Sequence, residues 1–276
     1  MPQMPTIKTW LGFASDKLQT ANIQTNRLDA EIILANILKV NRTYLHAHPE
    51  QIIDAKQYKL ANRNLNKRFK NFPIAYITGH KEFYGRDFIV NKSTLIPRPE
   101  SENIIDILKS IVQNLKSTDI NLVDIGTGSG CLGITAKLEY PNLNVTLIDI
   151  SSEALKIAKK NAKLLSAEVD IKKSNLLKNY HKTANIIVAN LPYVDKSWQT
   201  SPETAYEPRI ALFAPDNGQM LIKQLICQTN QTLATNDYLI IESDPRQHQS
   251  LINFALKNKL ELNQQVGYIL AFKKSK

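Results

Sequence analysis

The chain has 276 residues, of which 43% are hydrophobic and 22% are charged. This length fits one large or two modest domains, and this composition excludes a disordered or fibrous protein. No apolar run approaches the roughly 18 residues of a membrane span. The first residues lack the basic and apolar segments of a secretory signal. The chain has only two cysteines, Cys131 and Cys227, which lie far apart in sequence and form no disulfide framework. We therefore expect a soluble, cytoplasmic protein without membrane contact.

The positive charge is concentrated in the N-terminal third of the chain. The net charge is +10, and the first 95 residues carry 14 Lys and Arg against 7 Asp and Glu. The remaining 181 residues carry 21 against 18. This excess predicts a partner with acidic or phosphate groups near the N-terminal region.

Residues 1–75 have the pattern of a helical bundle domain. Residues 29–38 place apolar side chains at helical spacing, and residues 54–72 do so more clearly. In the second segment, one face is apolar and carries Tyr58, Ala61, Leu65, Phe69 and Phe72. The opposite face is basic and carries Lys56, Lys59, Arg63, Lys67 and Lys70. We interpret this basic stripe as a solvated helix face, with contact to nucleic acid or an acidic protein as the alternative.

Residues 76–95 are predicted to form a β-hairpin linker. Pro73 should end the preceding helix, because the residue before a proline is steered out of helical geometry. Residues 83–90 then combine aromatic and β-branched side chains with Gly85 in the middle of the run. Two prolines make residues 95–100 stiff, and Ser101 is expected to cap a helix that runs to about Lys116.

Residues 96–276 are predicted to form an α/β domain. Strands and helices alternate from residue 121 onward, which predicts a parallel sheet with helices on both faces. Ligands of such sheets bind at the carboxyl ends of the strands, near the topological switch point. The predicted strands are 121–125, 144–149, 184–189, 237–242 and 267–272, and the predicted helices are 130–139, 152–165, 218–234 and 247–258.

A glycine-rich loop follows the first strand of this domain. Four of the nine glycines of the chain fall within residues 126–133, directly after Asp124. Glycine is entropically costly, so this density favours a ligand that approaches the backbone over an ordinary tight turn. Gly128-x-Gly130-x-x-Gly133 matches the dinucleotide fingerprint, with Asp149 ending the next strand. The same loop also matches that of S-adenosylmethionine methyltransferases. Both cofactors need a carboxylate for a ribose diol, so this loop leaves the two alternatives open.

The segment from Asn190 to Tyr193 favours methyl transfer. It follows a buried strand and reads Asn-Leu-Pro-Tyr. The Asn190 oxygen and the Leu191 carbonyl are two acceptors that suit a planar NH₂ group. Pro192 stiffens the loop and brings no donor, and the Tyr193 ring is able to pack on a flat substrate. Hydride transfer has no use for such acceptors, whereas they would aim a poorly nucleophilic nitrogen at a methyl group.

Taken together, these segments resemble the HemK/PrmC family, which are glutamine methyltransferases of peptide chain release factors. The resemblance covers nearly the whole chain in order. The matching segments are residues 29–31, 73–79, 82–85, 95–102, 124–130, 190–193 and 207–213, together with Asp149.

The resemblance implies a Rossmann-like class I S-adenosylmethionine methyltransferase domain behind a helical domain that docks the release factor. It implies methylation of the glutamine in the Gly-Gly-Gln motif of that factor, and we expect a monomer. Cofactor contacts would come from Asp124, Gly126, Thr127, Gly128, Gly130, Asp149, Asn175 and Asn190. The glutamine amide would be held by the catalytic residues Asn190, Pro192 and Tyr193 and by Leu191, with Arg98 and Glu100 at the entrance of the site.

Three departures from the family pattern concern substrate choice. Leu191 stands where the family usually has proline, Ser101 replaces threonine and keeps a capping hydroxyl, and residues 264–268 replace the usual C-terminal stretch. Asn-Leu-Pro-Tyr is more usual in ribosomal RNA adenine dimethylases. Methylation of the exocyclic amine of adenine in RNA or DNA is therefore the alternative function.

Other hypotheses have less support from the sequence. Residues 96–100 disfavour a glutamine methyltransferase of a ribosomal protein. Intact loop residues disfavour a binding protein with a vestigial cofactor site. The five histidines show no ligand spacing, so no metal site is predicted.

Overall fold

A computed structural model describes residues 4–115 and 119–276. The chain divides into two compact units. The first unit comprises the residues up to His80 together with Ser201–Tyr206, and the second comprises Lys81–Thr200 and Glu207–Lys276. Within the described ranges, no helix is long and apolar enough to cross a membrane.

The first unit is helical, as its hydrophobic spacing predicts. Its core contains Trp10, Leu34 and Leu65, all at most 1% exposed. The helices are α1 (Ile7–Thr20), α2 (Asn26–Leu38), α3 (Arg42–Ala47), α4 (Ala55–Phe69) and α5 (Ile74–Thr78).

Helix α4 begins at a capping box, and it buries Ala61 and Leu65 of its predicted apolar face. The Asp54 carboxylate accepts from the Gln57 N–H at 2.8 Å, and the Gln57 side chain accepts from the Asp54 N–H. Phe69, predicted to face the core, is 37% exposed. Arg68 is buried instead, because its guanidinium donates to Asp29 at 2.6 Å and to Glu203 at 2.7 Å.

The basic stripe of α4 faces solvent along its whole length. Its five members, Lys56, Lys59, Arg63, Lys67 and Lys70, are all exposed. Among the residues that the structure describes, none of the five forms a salt bridge. The solvated helix face and its alternative, contact with nucleic acid or an acidic protein, both stay predictions.

The predicted hairpin is confirmed, and it begins four residues later than expected. Residues 76–78 continue α5, and Gly79 ends that helix with φ +82°. Strands β1 (His80–Phe83) and β2 (Arg86–Ile89) form a two-stranded sheet. Tyr84 and Gly85 join them with φ of +51° and +69°, as a primed two-residue turn requires.

Ser101 does not cap the next helix, contrary to the prediction. Helix α6 (Glu102–Asn114) follows Ser101, whose side chain makes no capping bond. Its hydroxyl donates to Glu242 instead. The predicted end at Lys116 lies outside the described residues.

The second unit is built on a seven-stranded sheet with the order β5-β4-β3-β6-β7-β9-β8. Its first five strands are parallel, as predicted. Strand β9 runs antiparallel to both of its neighbours, and this corrects the expectation of a wholly parallel sheet. The physical reason is the tight Gly267-Tyr268 connection between β8 and β9, which only antiparallel strands allow. The strands are β3 (Ile120–Ile125), β4 (Leu143–Asp149), β5 (Asp170–Lys173), β6 (Ala184–Ala189), β7 (Leu233–Glu242), β8 (Leu260–Val266) and β9 (Ile269–Lys274).

Helices cover both faces of this sheet, so its central strands are apolar on both sides. Ile186 and Val188 of β6 pack with α6 and the next two helices, whereas Ile187 and Ala189 pack with the last two. These four helices are α7 (Cys131–Glu139), α8 (Ser152–Leu164), α9 (Met220–Thr229) and α10 (His248–Lys257). A class I methyltransferase domain of the Rossmann-like type has this architecture.

Candidate functional site

A cavity of about 260 Å³ opens at the carboxyl ends of β3, β4 and β6. Strands β4 and β5 follow β3 on one side of it, and the chain then crosses to β6 on the other side, so this is the topological switch point. Nine predicted site residues line the cavity, namely Arg98, Gly126, Thr127, Gly128, Asp149, Asn175, Asn190, Leu191 and Pro192.

Four predicted site residues do not line this cavity. Asp124 is buried beneath the glycine loop, Gly130 is the N-cap of α7, Tyr193 is the last residue of the Asn190–Tyr193 segment, and Glu100 is exposed. Four further residues line the cavity and were not predicted, namely Ser129, Ile150, Leu176 and Ile210.

The loop after β3 is held in a shape that needs glycine. Gly126, Gly128 and Gly130 have φ values of +73°, +56° and +85°, in the left-handed region. The N–H groups of Gly126 and Thr127 donate to the Ile148 carbonyl at 2.8 and 3.0 Å. A Cβ on Gly126 would lie 3.0 Å from the Leu191 side chain. The backbone of this loop therefore forms one wall of the cavity.

Asp124 supports the loop from below. One of its carboxylate oxygens accepts from the Thr127 hydroxyl at 2.6 Å and from the Gly133 N–H at 3.0 Å. The other oxygen is buried and has no partner among the described residues. Burial raises the pKa of Asp124 to about 6. Its geometry makes it a support for Thr127, which itself lines the cavity.

Asp149 presents a fixed carboxylate at the edge of the cavity. Its two oxygens accept from the N–H groups of Gly128 at 2.9 Å and Ser151 at 2.8 Å. Burial raises its pKa, and the bonds from these two N–H groups act against that rise. A carboxylate has about four lone-pair sites, so Asp149 retains acceptors for hydroxyl donors. The glycine backbone and this carboxylate fit the nucleoside cofactor predicted from the sequence.

The Asn190 side chain is anchored through its nitrogen. Nδ2 donates to the Ser101 hydroxyl at 3.0 Å and to Glu242 at 2.9 Å. The Tyr193 hydroxyl donates to the other oxygen of Glu242 at 2.9 Å. Oδ1 of Asn190 receives no donor from the described residues. The arrangement leaves one amide acceptor in a residue that lines the cavity.

Sequence reasoning missed Glu242, although a signal was present. It closes the apolar strand β7, next to the end of β6, where Ala189 pairs with Ile241. An acidic residue at the end of a buried strand of a ligand-binding sheet is a candidate on chemical grounds.

Arg98 is held at the cavity by a second buried carboxylate that the sequence did not single out for this role. Its guanidinium donates to Glu207 at 2.6 Å, and the Ile96 N–H donates to the other oxygen of Glu207 at 3.0 Å. The Glu207 side chain is 1% exposed. The Glu207 carboxylate therefore links the stiff segment of residues 95–100 to the part of the chain that follows the Asn190–Tyr193 segment.

Two family models match the chain. The PrmC N-terminal domain matches residues 9–79, and the methyltransferase small domain matches residues 101–207.

Curated relatives match over most of the chain. The release factor glutamine methyltransferase of Koribacter versatilis (strain Ellin345) is 35% identical over 242 residues, which are 86% of each chain. That of Leptospira interrogans serogroup Icterohaemorrhagiae serovar Lai (strain 56601) is 36% identical over 262 residues, covering 92% of this chain and 91% of the relative. Among solved structures, a methyltransferase from Pyrococcus furiosus has a TM-score of 0.53 at 17% identity, covering 81% of this chain and 100% of that one. The last similarity shows the fold alone.

Proposed function

Because this chain belongs to the release factor glutamine methyltransferase family, we propose that it methylates the glutamine of the Gly-Gly-Gln motif in peptide chain release factors. The methyl donor is S-adenosylmethionine and the acceptor is the side-chain amide nitrogen. The chain is thus a methyltransferase and an enzyme. The observation that carries the proposal is the Asn190 amide, anchored through its nitrogen in a cavity that the glycine loop also lines.

The cavity residues divide between cofactor and substrate. S-adenosylmethionine supplies a methyl group on a positively charged sulfur. Asp149 would accept hydrogen bonds from the ribose hydroxyls, and Asn175 would lie near the adenine. The backbone from Gly126 to Gly128 would pack against the cofactor, with Asp124 and Gly130 holding that backbone in shape.

The glutamine amide would be bound by acceptors. Oδ1 of Asn190 and the Leu191 carbonyl would accept the two hydrogens of its NH₂ group, which aligns an otherwise poorly nucleophilic nitrogen. The aligned nitrogen would take the methyl group from the sulfur of the cofactor and would then lose a proton to water. The Leu191 side chain is buried beside Gly126, which supports the view that leucine in place of proline leaves the carbonyl in position.

Tyr193 and the residues of the entrance would contribute indirectly. The Tyr193 hydroxyl donates a hydrogen bond to Glu242, and this bond holds the Tyr193 ring in place at the end of the Asn190–Tyr193 segment. Pro192 lines the cavity and adds no competing donor. Arg98, whose guanidinium donates to Glu207, would shape the entrance of the cavity. Glu100, two residues further along the chain, is exposed.

We propose that the helical unit docks the release factor and that the enzyme acts as a cytoplasmic monomer. The five exposed cations of the basic stripe are the observation that keeps nucleic-acid contact, and with it adenine methylation in RNA or DNA, as the second candidate.

The test is transfer of labelled methyl to a purified release factor, with ribosomal RNA in a parallel reaction. One factor sample carries its normal Gly-Gly-Gln and a second carries alanine in place of the glutamine. We expect label on the glutamine form alone, and label on RNA would contradict the proposal. An Asn190→Ala enzyme should retain cofactor affinity and lose about tenfold or more in turnover, because an aligning acceptor is removed.

A further inference from the structure

Glu242 is a buried carboxylate that no cation of the described residues neutralises. It is 1% exposed and closes β7 at the end nearest the cavity. Among the described residues, it forms no salt bridge with lysine, arginine or histidine. A buried charge in this situation is costly to folding unless several hydrogen bonds compensate it.

Three donors converge on this carboxylate. Oε2 accepts from the Ser101 hydroxyl at 2.5 Å and from Asn190 Nδ2 at 2.9 Å, and Oε1 accepts from the Tyr193 hydroxyl at 2.9 Å. Burial raises the pKa of Glu242, and these hydrogen bonds act against the rise. An ionised carboxylate only accepts, so each partner must direct a hydrogen toward it.

The direction of these hydrogen bonds also determines the orientation of the Asn190 amide. Ser101 gives its only hydroxyl hydrogen to Glu242, so toward Asn190 it acts solely as an acceptor. Both partners of Nδ2 are therefore acceptors. Rotating the amide by 180° would place Oδ1 against two acceptor oxygens, and this orientation is repulsive.

We infer that Glu242 is a positioning residue that fixes which end of the Asn190 amide faces the cavity. The inference rests on the proposed function, since an NH₂ substrate needs the oxygen of Asn190 there and a reversed amide would oppose donor to donor. Ser101 favours the same orientation of the Asn190 amide, because its hydroxyl oxygen also accepts from Nδ2. Glu242 itself touches neither cofactor nor substrate in this role.

The same two strands provide a matched control. Near the start of β6 and in the middle of β7, Asn185 Nδ2 donates to the Asp237 carboxylate at 3.2 Å. Asp237 is 7% exposed, and neither residue lines the cavity. Asp237→Asn therefore changes an equivalent asparagine–carboxylate pair without touching the site.

The first experiment compares Glu242→Gln with Asp237→Asn. Glutamine offers Asn190 either an oxygen or an NH₂ group, so both amide orientations become available. We expect kcat for methyl transfer to fall about tenfold or more in Glu242→Gln, with cofactor affinity within about twofold of the parent. Asp237→Asn should keep kcat within about twofold. Equal kcat in Glu242→Gln and the parent would overturn the inference.

A double variant that exchanges the amide and the carboxylate distinguishes an effect of amide orientation from an effect of packing. Asn190→Asp alone sets two carboxylates side by side. With Glu242→Gln added, the glutamine NH₂ group donates to Asp at position 190, whose second oxygen then faces the cavity. We expect the double variant to be more active than either single variant, and a loss equal to the product of the two single losses would contradict the inference.

A measurement without substrate separates this inference from the proposed function. Hydrogen exchange of the Asn190 side-chain NH₂ group, followed by nuclear magnetic resonance and assigned by its loss in Asn190→Asp, reports the anchored nitrogen directly. We expect exchange to accelerate about tenfold or more in Glu242→Gln. That result together with a parent enzyme that fails to methylate the factor would refute the function and keep the positioning role. Unchanged exchange would refute the positioning role.

Discussion

The Gly128 N–H donates to the Asp149 carboxylate at 2.9 Å, although the two residues lie 21 positions apart in the chain. Parallel pairing of β3 with β4 brings them together, because it sets the two strand ends side by side. The glycine loop and the acidic residue of the next strand thus form one unit. A substitution in either is expected to affect the other.

Asp149→Ala should weaken S-adenosylmethionine binding about tenfold or more, as expected when charge-assisted hydrogen bonds of about 1.5–3 kcal/mol are lost. It removes the acceptor for the ribose and releases Gly128. Titration calorimetry measures the change, and Asp170→Ala on the edge strand β5 is the control, since Asp170 is exposed and outside the cavity. Unaltered affinity in Asp149→Ala would refute the assigned role.

Asp124 should make stability fall as the pH rises. Its folded pKa of about 6 lies above the ordinary value of 3.8, because burial disfavours the charged form. Its contribution is thus fully present below about pH 3.8 and lost as the pH rises through 6. Asp124→Asn keeps one acceptor oxygen and does not titrate. Urea unfolding from pH 4 to 8 should show the parent losing up to about 3 kcal/mol relative to this variant. A constant difference across that range would contradict the shifted pKa.

Gly133→Ala should lower the melting temperature by several degrees. A Cβ there would lie 2.3 Å from the Leu147 side chain and 3.0 Å from Asp124 Cβ, both in the packed interior. Overpacking of this kind costs about 1–3 kcal/mol. Gly12→Ala in α1 is the matched control, because a Cβ at Gly12 meets nothing within 4 Å. It should stabilise its helix by about 0.5–1 kcal/mol, as measured by calorimetry. Equal effects of the two substitutions would contradict this account.

If the basic stripe contacts an acidic surface of the release factor, which is the alternative to a solvated helix face, neutralising part of the stripe should weaken the enzyme's affinity for that factor. Lys59→Gln with Arg63→Gln removes two exposed cations one helical turn apart, and KM for the factor should rise about threefold or more at low salt. The effect should vanish at high ionic strength, where exposed charges are screened. Lys159→Gln with Lys163→Gln on α8 removes an equally spaced exposed pair in the other unit. If both double variants match the parent at every salt concentration, the stripe is a solvated helix face.

Hydrophobic periodicity predicted the elements that bury an apolar face, and it failed where burial is slight. Strand β5 was missed because Asp170–Lys173 has one partly buried residue among exposed ones. Strand β8 was missed for the same reason, since only one of its seven residues is buried. The antiparallel direction of β9 depends on pairing with β8, and no local pattern within β9 encodes that pairing.

Local chemistry sufficed for the parts of the site that are contiguous in the chain. The glycine density at residues 126–133 and the Asn-Leu-Pro-Tyr segment were readable, because conformational freedom and hydrogen-bonding capacity belong to single residues. The family resemblance depended on the same short segments. The folded structure also shows which of these residues lie on the surface of the cavity and which, such as Asp124 and Tyr193, lie behind that surface.

The polar anchors of the site arise only from folding. Glu242 lies 52 residues from Asn190 and 141 from Ser101 in the chain, yet all three meet in one hydrogen-bonded group. The same holds for Glu207, which lies 109 residues from Arg98. Residues so distant carry no shared pattern along the chain, because their meeting depends on strand order and on the packing of α6 against the sheet. Sequence therefore specifies which groups are available for catalysis, and the packed strands specify the direction in which each hydrogen bond points.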